Sequence, residues 1–134
     1  MNALITNADR CRINSCIDRL PSAFRRSSGI GSLIQRMRRA AAIEPHDIPS
    51  NYVTMNTHVR LRYYTTGEIR DLRLVYPNAP LLDGTDPVSV ISPVGAALLG
   101  AQTGDIIEWK APDGLRQGEV LAILYQPEAN GDSD

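Results

Sequence analysis

The apolar residues of this chain change period once along its length, and that switch limits what the chain can fold into. Before residue 44 they recur at helical spacing: Ile13, Cys16, Ile17 and Leu20, then Ile30, Leu33, Ile34, Met37 and Ala41. From Tyr52 the period becomes two. Val53, Met55, Thr57, Val59, Leu61 and Tyr63 alternate with Thr54, Asn56, His58, Arg60 and Arg62, the pattern of a half-buried strand. Between the regimes Pro45 and Pro49 bracket EPHDIPSN, a stiff linker. The expected division is a helical arm over residues 1–45 and a sheet domain over residues 46–134. With 134 residues and 43% apolar content, the chain is long enough to bury a core without disulfides or metals.

Local signals fill in this outline. Asn7 is placed to cap the first helix, Asp9 sits in its first turn, and Pro21 ends it near Leu20. Residues 22–28 read as a loop, with Ser28 capping the second helix. Two apolar stripes joined by a short loop predict an antiparallel hairpin, a stubby coiled coil reaching only ~20 Å. In the second part, Thr66-Gly67 marks a turn, a strand over 70–76 stops at Pro77, and residues 78–87 read as loop. A short strand over 88–91 leads to Ser92, which caps a short helix with Pro93 in its first turn and Gly100 at its end. Strands over 106–110 and 119–126 follow, the first after the turn Thr103-Gly104-Asp105 and the second after Pro112-Asp113-Gly114. The last strand is apolar on both faces and is expected to be central. The fold class is α+β: a helical hairpin, then a mostly antiparallel sheet of four to six strands with one short helix.

Much chemistry is excluded by what the sequence lacks. Cys11 and Cys16 are five apart, about 140° around a helix, so they are expected to point different ways and to form neither a disulfide nor a zinc site. His46 lies in the linker and His58 on the polar side of a strand, without a partner at metal-ligand spacing. No nucleophile elbow or P-loop is present, and Gly29-Ile30-Gly31 is too short to cradle a phosphate. Asp71, Asp83, Asp86, Glu108 and Asp113 are scattered, so no acid–base pair stands out. The expectation is a protein that is not an enzyme and holds no cofactor or metal. No stretch approaches the ~20 apolar residues of a membrane helix, and MNALITNADR lacks the form of a signal peptide, so a cytoplasmic location is expected.

Charge is divided unevenly. Residues 1–45 carry eight arginines against Asp9, Asp18 and Glu44, whereas residues 46–134 carry six basic and twelve acidic residues. Arg36, Arg38 and Arg39 near a helix end suit the helix dipole, the bland reading. Arg25 and Arg26 at the hairpin tip, beside Phe24, are the residues an anionic partner would meet, whether an acidic protein patch or nucleic acid.

The best-defined segment is SVISPVGAALLG, residues 89–100. A strand that ends in Ser-Pro and runs into a helix of small residues lets two stretches of backbone come close. With Val53-Thr54-Met55-Asn56, Leu74-Val75-Tyr76-Pro77, Gly104-Asp105, Trp109 and Tyr125-Gln126-Pro127-Glu128-Ala129, this segment resembles the Rnk family. These are regulators of nucleoside diphosphate kinase related to the Gre transcript-cleavage factors. The resemblance is dense from about residue 51 to residue 129 and only architectural before residue 45.

The resemblance implies an FKBP-like sheet domain that docks on RNA polymerase at the rim of its secondary channel. The polymerase-binding residues it implies are Ser89, Ile91, Ser92, Pro93, Gly95 and Ala96, with Phe24, Arg25 and Arg26 as contacts at the arm tip. Gre factors reach into the channel with a long coiled coil whose tip carboxylates hold a catalytic magnesium. The loop PSAFRRSS here has no carboxylate, and a hard divalent ion needs oxygen ligands. The implied function is a regulator that binds polymerase without cleaving transcripts. Two other readings are nucleic-acid binding through the arm and prolyl isomerisation. The latter needs an aromatic-lined pocket, and the chain has one Phe and one Trp.

Overall fold

The computed structural model describes residues 4–20, 28–77, 86–111 and 114–130. The helical half contains α1 (Asn7–Arg19) and α2 (Ser28–Arg39), flanked by two short strands, β1 (Leu4–Thr6) and β2 (Ala41–Ile43). β1 and β2 pair in parallel, Leu4 opposite Ala41 and Thr6 opposite Ile43, a two-stranded closure absent from the sequence reading. The N-cap of α1 is Thr6 and not Asn7. The Thr6 Oγ1 accepts from the Asp9 N–H at 3.1 Å, which β1 makes possible by holding Thr6 extended.

The second half is a five-stranded sheet in the order β5-β4-β3-β7-β6, made of β3 (His58–Tyr63), β4 (Ile69–Val75), β5 (Asp86–Ser89), β6 (Ile106–Ala111) and β7 (Gly114–Tyr125). All neighbours are antiparallel except β4 and β5, which run parallel. The long last strand lies inside the sheet, between β3 and the edge strand β6. The short helix α3 (Pro93–Leu98) packs against β5 and β6. The expected α+β class with a mostly antiparallel sheet is therefore found.

The first sheet strand begins later than its alternation suggested. Residues 53–57 alternate but do not pair as a strand. Thr57 N–H donates to the Thr54 carbonyl at 3.2 Å, and Asn56 sits at φ 64°, which a ladder does not tolerate. The turn is locked by Thr57 Oγ1, which accepts from Thr54 N–H at 2.9 Å. The linker holds a single turn of 3-10 helix, Pro45–Asp47. Its far end is pinned by Gln126, whose amide donates to the Pro49 and Tyr52 carbonyls at 2.9 and 2.8 Å.

One hydrophobic cluster runs through both halves. Ile5, Ile13, Ile17, Leu33 and Met37 from the first 45 residues join Val53, Leu61, Leu72, Leu74, Leu98, Leu99 and Val120. The helices are too short to be stable alone in water, so burial against the sheet supplies their stability. α2 rests on α3. Arg10 of α1 donates to the carbonyls of Met37 and Ala40 at 2.7 and 3.0 Å, satisfying groups at the end of α2 that its own turns leave open.

A shared core predicts shared unfolding. Leu33 is fully buried, and Leu33→Ala should cost about 2–5 kcal/mol. The loss should appear in the urea transition followed by emission from Trp109, which lies in the sheet. A Trp109 midpoint that stays in place would show that arm and sheet unfold separately.

Candidate functional site

The segment singled out in the sequence is held by an unusually tight turn between β5 and α3. Ser92 caps α3: its Oγ accepts from the Gly95 N–H at 3.1 Å and donates to the Ser89 carbonyl at 2.7 Å. The Ser92 N–H also donates to that carbonyl, at 3.0 Å, and Ser89 Oγ accepts from the Ile91 N–H at 3.3 Å. Both hydroxyls are thus used inside the turn. At Gly95 a Cβ would lie 1.9 Å from the Ser89 carbonyl oxygen, so only glycine fits. The close approach expected from the small residues is real, and its partner is the backbone of Ser89.

This arrangement sorts the six residues. Ser89, Ile91, Ser92 and Pro93 are partly exposed along the turn, whereas Gly95 and Ala96 are buried beneath it. Four side chains can meet a partner; the other two set the shape that presents them. The arm-tip residues Phe24, Arg25 and Arg26 lie outside the described residues. The far end of α3 is closed from the arm: the half-buried Arg36 guanidinium donates through Nε to the Leu99 carbonyl. Burial lowers the Arg36 pKa, and Asp105 opposes that shift. Arg38 and Arg39 point into water.

A polar cluster that sequence reasoning missed ties α1 to the sheet domain. Asp9, only 4% exposed, accepts from the Met55 N–H at 3.1 Å through one oxygen and from the Tyr76 hydroxyl at 3.4 Å through the other. Beside it, Thr54 Oγ1 donates to Glu128 at 2.7 Å. Burial raises the Asp9 pKa to about 6, against the lowering effect of the Met55 N–H, and nearby Glu128 raises it further. Burial likewise holds the Tyr76 phenol well above its usual range, with Asp9 adding to the effect. The signal was present: Asp9, Ile13 and Ile17 are spaced i, i+4, i+8, which puts a carboxylate on the apolar stripe.

Cys11 and Cys16 are free, and both border one groove of about 390 Å³ with Arg12, Ser15, Arg19 and Tyr76. The 140° between them places them on one solvent-facing arc of α1, not on unrelated faces. His58 is half-buried and packs edge-on to Tyr125 with ring centroids 5.3 Å apart. Among the described residues, no three His, Cys, Asp or Glu side chains gather closely enough to hold a metal ion.

The family model for the C-terminal part of the transcription elongation factors GreA and GreB matches residues 48–125, the stretch that contains the five-stranded sheet and the turn between β5 and α3. The chain belongs to the GreA/GreB family, together with the Rnk regulators. It is 45% identical over 102 residues to the regulator of nucleoside diphosphate kinase of Escherichia coli K12, covering 75% of this chain and 74% of that protein. To GreA of Syntrophobacter fumaroxidans it is 37% identical over 95 residues, 70% of this chain and 60% of the relative. The solved structure of a GreA/GreB factor from Nitrosomonas europaea superposes with a TM-score of 0.72 at 32% identity, covering 93% of this chain and 99% of that one. The family resemblance read from the sequence motifs is thereby shown.

Two predictions follow from this geometry. Gly95→Ala forces the Ser89 backbone to move and should destabilise by about 1–3 kcal/mol or more, whereas Ser92→Ala loses a cap worth about 1 kcal/mol; both are measurable by urea denaturation. The second concerns Asp9. Between its ordinary 3.8 and about 6, the folded state holds a proton that the unfolded chain has released. Its stabilising contribution is therefore full below about pH 4 and lost as the pH rises through about 6. Asp9→Asn should flatten that part of the stability–pH profile, and a profile unchanged by the substitution would show that another group is responsible.

Proposed function

We propose that this protein is a non-catalytic regulator that binds RNA polymerase near its secondary channel through the turn between β5 and α3. Residues 46–134 act as the docking body and residues 1–45 as a short arm that crowds the channel mouth. Family membership supports polymerase as the partner. The observation that carries the non-catalytic part is the loop joining the two helices: residues 21–28 contain no carboxylate, so no magnesium ligand stands where the Gre resemblance implies one. α1 and α2 have 13 and 12 residues, so each is only about 20 Å long. The partners' contact would fall on Ser89, Ile91, Ser92 and Pro93, with Gly95 and Ala96 as support and Phe24, Arg25 and Arg26 at the arm tip. The name of the Escherichia coli relative extends the proposal to regulation of nucleoside diphosphate kinase. A cytoplasmic location agrees with that partner; among the described residues no helix is long and apolar enough to cross a membrane.

A second reading, nucleic-acid binding through the arm, is favoured by the exposed Arg38 and Arg39. One experiment separates the two. Labelled full-length protein is titrated with core RNA polymerase, with unlabelled GreA as competitor, and stalled elongation complexes are assayed for transcript cleavage. Binding that GreA displaces, without cleavage, is expected. Ile91→Arg should weaken it about tenfold; because Ile91 also packs partly against the core, thermal unfolding of the variant is followed alongside, to separate lost contact from lost stability. Failure to bind polymerase, combined with DNA affinity that falls steeply with salt, would replace this reading with the second one.

A further inference from the structure

The sheet has two edges, and they differ. β5 has four residues and contains Pro87, which donates nothing to a ladder. β6 has six residues and no proline, and every second residue of such an edge turns its N–H and C=O away from the neighbouring strand. Among the described residues, the backbone hydrogen bonds of β6 go to β7 alone. On its outer face Ile106, Glu108 and Lys110 are exposed, Ile106 with 59% of its surface, and Glu108 accepts from the Gln117 side-chain amide of β7 at 3.2 Å. On its inner face Trp109, half-buried, lies edge-on to Tyr63 with centroids 5.8 Å apart.

We propose that β6 pairs antiparallel with β6 of a second copy of this chain, about a two-fold axis at Trp109. In that register Glu108 of each copy faces Lys110 of the other, Ile107 faces Ala111, and Trp109 faces its own equivalent. The two opposite-charge pairs are the direct cross-strand contacts that stabilise a ladder. Sliding the strands by two residues sets Glu108 against Glu108 or Lys110 against Lys110. Sliding by one sets outward-facing amides against inward-facing ones. The strand is self-complementary in one register, as a two-fold interface requires. A lone edge lysine repels a second copy; the glutamate two residues earlier gives that lysine a partner. The result is one continuous sheet built from two five-stranded ones.

Sedimentation velocity of the full chain, with Trp109 emission followed on dilution, tests this. Trp109 is the single tryptophan, so its emission reports the axis directly. The wild type should self-associate, with emission moving to longer wavelength as the pair separates. Glu108→Lys and Lys110→Glu should each lower the association constant about tenfold, since two attractive pairs become repulsive at once. The double exchange E108K/K110E restores complementarity and should return the constant to within about threefold of the wild type. A wild type that sediments as a monomer up to about 1 mM, single reversals without effect, or a double variant no better than the singles would each overturn the proposal. Both positions are exposed, and unchanged circular dichroism confirms that the variants are folded. These readouts do not involve polymerase, so the proposal stands or falls apart from the polymerase reading.

Discussion

Asp9 is a carboxylate almost wholly removed from water, and it is the point where the arm meets the sheet domain. Its oxygens are met by a backbone N–H from the Thr54–Thr57 turn and by a tyrosine hydroxyl from beyond β4. A buried carboxylate without such donors is strongly unfavourable, so α1 is placed by its need to keep them. The same turn places Asn56, whose N–H donates to the Leu74 carbonyl, and it delays the start of β3 to His58. Position of the helix, shape of the turn and start of the sheet are therefore one solution. Arg10 and Arg36 complete it by filling open carbonyls at the ends of α2 and α3. Asp9 and Arg36 thus join the two halves by a charged group bonded to backbone, and Arg10 joins α1 to the end of α2 in the same way.

The turn between β5 and α3 is built on the opposite principle. It uses no charge at all. Two hydroxyls, a proline and a glycine fix its shape through hydrogen bonds closed on themselves, leaving Ile91 and Pro93 as its partly exposed apolar contacts. A surface formed in this way has little entropy to lose on binding, since its side chains are short, cyclic or already bonded. Ile91, just before Ser-Pro, packs partly against the core.

Features carried by local chemistry were legible in the sequence. The cap at Ser92, the break at Pro77, the left-handed glycine at Gly104 and the central last strand follow from residue types within a few positions of each other. What the sequence hid depends on distant pairing. β1 and β2 are three residues each, too short for a period to show, and they pair in parallel across 37 residues of sequence, from Leu4 to Ala41. The parallel register of β5 on β4 is a topological outcome with no local mark. Residues 53–57 show the reverse case, where alternation is real but serves a turn: Val53 and Met55 are buried, and the ladder stops at Asn56's positive φ. In the segment 89–100 the sequence located the cap at Ser92 but read residues 90 and 91, which turn, as strand. It did not distinguish Gly95 and Ala96, which shape the surface, from the neighbours that form it.

Net charge read along a chain also differs from charge presented to a partner. Eight arginines in the first 45 residues suggested a strongly basic arm. Arg10 and Arg36 bind backbone carbonyls and are partly or largely withdrawn from water. Arg12 is half-buried and bonds to the Tyr76 phenol beside Asp9. Each of these guanidinium groups would have to leave an internal partner to meet a phosphate. Non-specific nucleic-acid affinity scales with the number of phosphates neutralised, so arginines committed to the fold subtract from it directly. The free basic surface of the described arm reduces to Arg19, Arg38 and Arg39. That basic surface is smaller than the count of eight arginines suggests.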